Sequence, residues 1–479
     1  MQNNNEGNEM MRDVESVDRT YVSRIRRPLE RAGLGIAAST LALGIAALSI
    51  CPAQALPSFA RQTGKPCAQC HAVAYGVALT AYGRQFKLNG YVWGDAKEVI
   101  PPVALMAQGG FTHTSKDQVD QPAPHFATND NLSVDQVSAF YGGRITKNVG
   151  AFVQVTYSGE DRVTSWDNLD VRFANTASLG NTSFVYGVSV NNSPTVQDLW
   201  NSTPAWAYPY IGSALAPTPA AAPVIAGGLA QLVLGATAYA MIDDHLYLEA
   251  GAYRGVSNHW LKNLGVGSDA NPHMDGLSPY WRASWQIDFM PHYFSVGMYG
   301  LNSKFQPDPS VPEEDRFNDV GFDATYQYTS DDARHGVSAN FNVIHEKQTL
   351  DASFAAGASA SNSNHLNTVS LDVTYAYQQT WAVSAGLFNT SGSTDMGLYA
   401  PEPVGGSLTG SPDSRGYIAM IEYVPFGKLD SFARPWLNVR VGLQYTGYTR
   451  FNGADSNYDG FGRSASDNNT LFGFFWFAL

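Results

Sequence analysis

The sequence is poor in cysteine, in charge and in long apolar segments. Three of its 479 residues are cysteine, so at most one pair is available for covalent or metal chemistry. Charged residues make up 15%, which is low for a soluble domain of this size. The net charge of −13 gives no reason to expect a nucleic-acid partner. After residue 55 no run reaches the ~18 apolar residues of a membrane-spanning helix. Any membrane span there must be a closed β-barrel, because only helices and closed barrels satisfy their backbone groups in lipid.

The first 55 residues have the pattern of an export leader. Basic residues precede an apolar run over 32–50, namely Arg24, Arg26, Arg27 and Arg31. Ala53-Gln54-Ala55 then supplies a small-residue cleavage site. We predict a cleaved signal peptide over 1–55, with a retained membrane anchor as the alternative. Its removal leaves Cys67 and Cys70 as the only cysteines.

These two cysteines form Cys67-Ala68-Gln69-Cys70-His71. Cys-x-x-Cys-His is the spacing at which a haem is attached through two thioethers, with the histidine as an axial ligand of the iron. A small disulfide loop, a redox pair and a zinc site are the alternatives. Zinc would need two further close ligands, and a redox pair would not need the adjacent histidine. We therefore predict one covalently attached haem c, with Cys67 and Cys70 as the thioether residues and His71 as the proximal ligand.

The rest of the chain alternates between apolar and polar residues with a period of two. From Leu437 to Tyr445 the odd positions suit lipid and the even positions suit water. The same alternation recurs over 281–289 and 369–377, and more loosely over 149–157, 246–253 and 337–343. Counting from Val103 to the end predicts an all-β, transmembrane, antiparallel β-barrel of about 16 strands. A soluble sandwich or propeller also alternates, but it would bury the aromatic residues that here lie on the apolar face: Trp281, Trp285, Tyr375, Tyr377 and Tyr445.

The connections alternate between short and long. Short links such as 290–291 and 378–380 should face the periplasm, and long ones the exterior. The long segments are 192–227, 255–279, 302–315, 349–365, 390–413 and 447–469. The Ala/Pro-rich run 214–226 is interpreted as an irregular loop without chemistry of its own. The aromatic end, 475–479, resembles the assembly signal of bacterial outer-membrane barrels.

The haem segment, 56–98, is too short to build a core of its own. We expect it to plug the lumen of the barrel, 99–479, or to cap its periplasmic mouth. Charged residues of the predicted lumen face either pair with this segment or line a solvated channel: Asp170, Arg172, Glu249, Arg282, Asp288, Asp372 and Arg440.

The stretches 56–64, 67–71 and 79–91 resemble the amino-terminal cassette of the fused monohaem cytochrome-porins of iron-oxidising bacteria. The resemblance covers about 36 positions; beyond them the chain matches in length and pattern. It implies an outer-membrane cytochrome, a ferrous iron oxidase, that takes electrons from extracellular Fe(II) and passes them to periplasmic carriers such as a copper protein or a cytochrome c.

Several candidate site residues have more than one possible role. Methionine as sixth ligand would raise the haem potential, and Met106 is the nearest methionine after the motif. His113 and His125 are the histidine alternatives. Contacts to the haem propionates are proposed for Arg61, Lys65 and Arg84. The acidic cluster Glu313-Glu314-Asp315 is either a contact for iron or a solvated loop.

Two rival functions remain. A reductive conduit would send electrons outward and needs a low haem potential. A diffusion porin with a structural haem plug would conduct solutes whether or not haem is present.

Overall fold

The computed structural model describes residues 56–72, 76–93, 102–267, 270–307, 312–428 and 430–479. The predicted signal peptide, 1–55, lies outside them. Within these ranges, no helix is long and apolar enough to cross a membrane.

Sixteen antiparallel strands of the described residues form one closed barrel. Each strand pairs with its neighbours in sequence, and β1 pairs with β16 to close the ring. The predicted strand number and fold class are confirmed. The strands are β1 (Val103–Thr114), β2 (Asn131–Arg144), β3 (Val149–Ser158), β4 (Val163–Leu179), β5 (Thr182–Asn191), β6 (Val233–Ile242), β7 (Leu246–Gly255), β8 (Ser278–Phe289), β9 (His292–Phe305), β10 (Asp315–Thr329), β11 (His335–Leu350), β12 (Ser363–Tyr377), β13 (Trp381–Gly392), β14 (Ser414–Tyr423), β15 (Asn438–Arg450) and β16 (Thr470–Ala478).

The outer wall of the barrel is apolar and its lumen is polar. On β15 Leu443 is 47% exposed, whereas the next residue, Gln444, is 4% exposed because it faces inward. Trp281, Trp285 and Tyr375 are exposed on the outer wall, as the alternation predicted. A continuous apolar outer wall of this kind fits lipid rather than water.

The two ends of the barrel differ in their connections. One end, here the turn end, carries 145–148, 180–181, 243–245, 290–291, 330–334 and 378–380. The other, the loop end, carries 115–130, 159–162, 256–277, 306–314, 351–362, 393–413 and 451–469. The connection 424–437 is an exception, since it lies at the turn end although it is long. Short helices include α4 (Asn258–Asn263) and α5 (Asp351–Ala355).

The connection 192–232, here the inner loop, does not stay outside, and the prediction that it faces the exterior is wrong. It folds into the lumen, where Val196, Leu199 and Trp200 are fully buried. Carboxylates of the wall and of the loop itself accept hydrogen bonds from its backbone amides; Asp319, for example, accepts one from the Ile225 amide at 3.1 Å. Its apolar side chains and its satisfied backbone explain why it leaves water.

The segment 56–93, here the plug, contributes three helices before the barrel. They are α1 (Pro57–Thr63), α2 (Cys67–Cys70) and α3 (Ala81–Leu88). Phe59 packs edge-on against Phe86 and stacks on Tyr91. This aromatic group joins a cluster with barrel residues such as Phe140 and Phe152. The barrel therefore supplies core that the plug is too short to build alone.

The plug lies inside the lumen at the turn end. Gln85 donates to Asp244 at 3.0 Å, and Gln379 donates to the carbonyl of Ala72 at 3.1 Å. Both barrel partners belong to turns between strands. Residues 56–72 and 76–93 therefore lie in the lumen, which is one of the two placements expected for the segment 56–98.

Candidate functional site

Cys67 and Cys70 lie on the single turn of α2. Residues three apart on a helix share a face, and both thiols line one cavity together with His71. Neither cysteine forms a disulfide. Burial raises the pKa of the Cys67 thiol, and burial together with Cys67 raises the pKa of Cys70 to about 12. Both are therefore thiols at neutral pH in the chain as described.

His71 follows α2 directly, and its backbone amide donates to the Cys67 carbonyl at 2.9 Å. Its Nδ1 lies 2.5 Å from the carbonyl oxygen of Gly76. A carbonyl only accepts, so Nδ1 carries the proton and Nε2 keeps its lone pair. Burial lowers the pKa of His71 to about 4, so the ring is neutral. A neutral imidazole with Nδ1 bonded to a backbone carbonyl is the form in which histidine binds a metal.

The cavity lies between the plug, the barrel wall and the inner loop. It encloses about 70 Å³, and its walls outside the plug are Phe152, Asn201 and Trp206. Two thiols and an available imidazole nitrogen on one apolar cavity fit a thioether-bound haem. The enclosed space is below the roughly 300 Å³ of ordinary ligand sites. The cavity as described is therefore too small to enclose a haem.

Only one of the three residues predicted to contact propionates lines this cavity. Lys65 is exposed at its edge. The Arg61 guanidinium donates to the carbonyl of Val103 and lies 5.1 Å from the Trp436 ring. Arg84 is buried 3.4 Å from the Tyr293 ring. Arg61 and Arg84 thus hold the plug against the barrel.

The residues predicted as sixth ligand are not brought to the cavity. Met106 is buried on β1 in the apolar cluster that the plug shares, and its sulfur accepts from Gln108 at 3.3 Å. It is not among the cavity-lining residues. His113 bonds Asp130 near the loop end, and His125 is exposed in the connection 115–130.

Lys87 is a cavity residue that the sequence did not reveal. It is 5% exposed, and its ammonium donates to the carbonyls of Val196 at 3.0 Å and Asp198 at 2.5 Å and to Asn201 Oδ1 at 2.8 Å. Burial and the nearby Arg172 lower the pKa of Lys87 to about 7. All of its acceptors belong to the inner loop. The sequence places Lys87 one turn after Arg84, on the same face of α3. It does not reveal the acceptors of Lys87, because they lie more than 100 positions away.

The charged residues predicted for the lumen face divide between plug and inner loop. Tyr91 of the plug donates to Asp170 at 2.6 Å, and Arg172 donates to the carbonyl of Lys87 at 3.3 Å. Arg282 pairs instead with Asp198 of the inner loop at 3.2 Å.

The partners of the other four charged residues lie in the inner loop or the barrel wall, where the structure describes such partners. Asp372 bonds Tyr210 of the inner loop and Asn340, and Arg440 pairs with Glu422. Glu249 is buried beside Tyr247, and Asp288 is exposed.

The acidic cluster at 313–315 is not a preformed iron site. Glu314 pairs with Lys304 at 3.3 Å, and Asp315 is buried and accepts from the Ser353 amide at 3.0 Å. Across the described ranges, no group of three or more His, Cys, Asp or Glu residues is arranged to hold a metal ion.

No protein-family model and no curated protein matches the chain. Solved outer-membrane porins are similar in fold. OprB of Pseudomonas putida is 12% identical, with 78% of this chain and 92% of that chain covered and a TM-score of 0.45. OmpF of Salmonella typhi is 12% identical, with 79% and 97% covered and a TM-score of 0.42. The strand pairing described above, not these weak likenesses, defines the barrel.

Proposed function

We propose that this chain is an outer-membrane c-type cytochrome that takes electrons from extracellular Fe(II) and passes them to periplasmic carriers. One observation carries the proposal: Cys67, Cys70 and His71 converge on one cavity inside the turn end of a membrane barrel. Haem bound there would supply a one-electron centre, and short turns face the periplasm in bacterial barrels.

The chain's own residues serve two tasks in this function. Gly76 holds Nδ1 of His71, which directs Nε2 toward the iron. The plug and the inner loop fill the lumen on either side of the cavity, with Lys87 tying one to the other. A filled lumen favours transfer of electrons over diffusion of solutes.

Rapid mixing of the haem-loaded protein with ferrous iron tests the proposal. We expect reduction of the haem by Fe(II), with a midpoint potential that permits it at the working pH. A potential far below that of the iron couple, with no reduction, would favour a reductive conduit instead. Haem-independent solute conductance in planar bilayers would favour a diffusion porin.

A further inference from the structure

A second cavity lies inside the barrel, on the loop side of the first. It measures about 220 Å³ and lies between inner-loop residues 208–219 and the wall strands β12 to β16. Thr446, Tyr448 and Thr470, among its lining residues, belong to the loop-end halves of their strands. Thr218, on its rim, is exposed. The cavity therefore meets solvent at the loop end of the barrel.

The lining offers hard oxygen atoms. Asp372 is 7% exposed, and its Oδ2 accepts from Asn340 at 3.0 Å and from Tyr210 at 3.4 Å. Gln444 is 4% exposed, and its Oε1 has no hydrogen-bond partner among the described residues. The buried hydroxyl of Tyr208 has none there either. An unsatisfied buried polar group costs about 1 to 3 kcal/mol, so this lining calls for a polar occupant.

The lining residues and the volume of the cavity indicate which kind of ligand it could bind. Asp372 is the one carboxyl residue of the lining, and the lining contains no lysine, arginine or histidine. Arg440 stands nearby, but its charge is balanced by its ion pair with Glu422. At ~30 Å³ for each water molecule, the volume has room for about seven. A divalent cation with an octahedral shell of six waters fits both the volume and the oxygen lining.

We propose that this cavity binds a hydrated divalent cation, with Asp372 as the counter-charge and Gln444 Oε1 as an acceptor for a coordinated water. The assignment of that cation as ferrous iron rests on the proposed function. A ferrous ion held there would give up one electron to a ferric haem held by Cys67, Cys70 and His71, and it would leave as ferric iron through the loop end. No bond is made or broken in this step.

The position of the cavity supports that assignment. Trp206 lines the cavity of Cys67 and His71, and Tyr208 lines the second one. Two residues of extended chain span at most about 7 Å, so the Cα atoms of these two lining residues lie within that distance of each other. Tyr208 also packs edge-on against Tyr210, with ring centroids 5.4 Å apart. Electron transfer weakens steeply with distance, and Trp206 and Tyr208 give the two cavities aromatic lining residues that are neighbours along the inner loop.

Mn²⁺ tests the site without iron chemistry. Haem-loaded protein in detergent is titrated with Mn²⁺, and the free ion is followed by electron paramagnetic resonance. We expect one Mn²⁺ per chain, at least tenfold weaker binding in Asp372→Asn, and retained binding in Asp372→Glu. Gln444→Leu should weaken binding severalfold and serves as the second variant if Asp372→Asn does not fold. Asp288→Asn is the control, because Asp288 is an exposed carboxyl outside this cavity.

The same variants then meet Fe²⁺ by rapid mixing. We expect the rate of haem reduction to saturate with Fe²⁺, and Asp372→Asn to raise the half-saturating concentration by tenfold or more. The cation site is overturned if the parent protein does not bind Mn²⁺. It is also overturned if Asp372→Asn and Gln444→Leu bind Mn²⁺ with the same affinity as the parent. Mn²⁺ binding without reduction of the haem by Fe²⁺ overturns the proposed function and leaves the cation site standing. If Fe²⁺ reduces the haem with the same concentration dependence in every variant, the role of this site in iron oxidation is overturned and the proposed function is retained.

Discussion

Replacement of Lys87 by methionine tests how the inner loop retains the plug. Methionine keeps the apolar stem but removes the N–H donor of the Asp198 carbonyl and of Asn201 Oδ1, whereas the Val196 carbonyl keeps its hydrogen bond from Trp206. Each unsatisfied buried acceptor costs about 1 to 3 kcal/mol, although such costs do not add fully. We take about 3 kcal/mol as the loss when Lys87 is uncharged, which corresponds to about a hundredfold larger open population of the plug.

The pH dependence gives this prediction its sign. Burial and Arg172 lower the pKa of Lys87 to about 7 in the folded chain, below the value near 10.5 of an unfolded lysine. The unfolded plug therefore binds more protons between pH 7 and 10.5, and the stability of the parent plug rises across that window. Below pH 7 it is flat. The shift of the Lys87 pKa is worth about 5 kcal/mol across this window, which exceeds the loss of about 3 kcal/mol, so Lys87→Met should resist opening at least as well as the parent at pH 6 and much less well near pH 10.

Cleavage of the plug by subtilisin, compared between variant and parent at each pH, measures the open population. Comparison at each pH removes the pH dependence of the protease itself. The matched control is Lys147→Met, because Lys147 is exposed in a turn between strands. Equal cleavage of Lys87→Met and parent near pH 10, or a ratio that does not change with pH, would refute the reasoning.

Three further predictions concern the cavity and the loop end. Cys67→Ala or Cys70→Ala should sharply reduce covalent haem, and His71→Ala should change its spectrum; normal haem content and spectrum in all three would contradict the site. Gly83→Ala should also reduce haem attachment, because its Cβ would meet the Cys70 carbonyl oxygen at 2.2 Å, whereas Gly228→Ala, with open space around it, should not. Asp395→Asn should lower the free energy of unfolding at pH 6 by about 1 to 2 kcal/mol, which is measured as a lower unfolding temperature. Burial raises the pKa of Asp395, but hydrogen bonds from the Ala360 amide, Ser359 and Asn364 outweigh it and lower the pKa to about 2. That stabilisation is present above about pH 4 and is lost as the pH falls through 2, so a difference that persists below pH 2 would count against it.

The barrel could be predicted because its signal is local. The alternation over 437–445 repeats every two residues, and the period of a strand decides which side chains meet lipid. Arg282 and Asp372 were correctly placed on the lumen face from that period alone. The spacing of Cys67, Cys70 and His71 is equally local, since one helical turn brings them to a common cavity.

The sequence by itself determined the strand number, the two faces of the wall, and the motif on a segment too short to fold alone. The tertiary structure alone decided that the inner loop fills the lumen, that Lys87 joins it to the plug, and that this loop contributes lining residues to two cavities. The physical reason is distance along the chain. Contacts such as that of Lys87 with Asn201 join residues more than 100 positions apart, and no short-range period encodes them. They form because buried polar groups must find partners wherever the closed barrel brings them together.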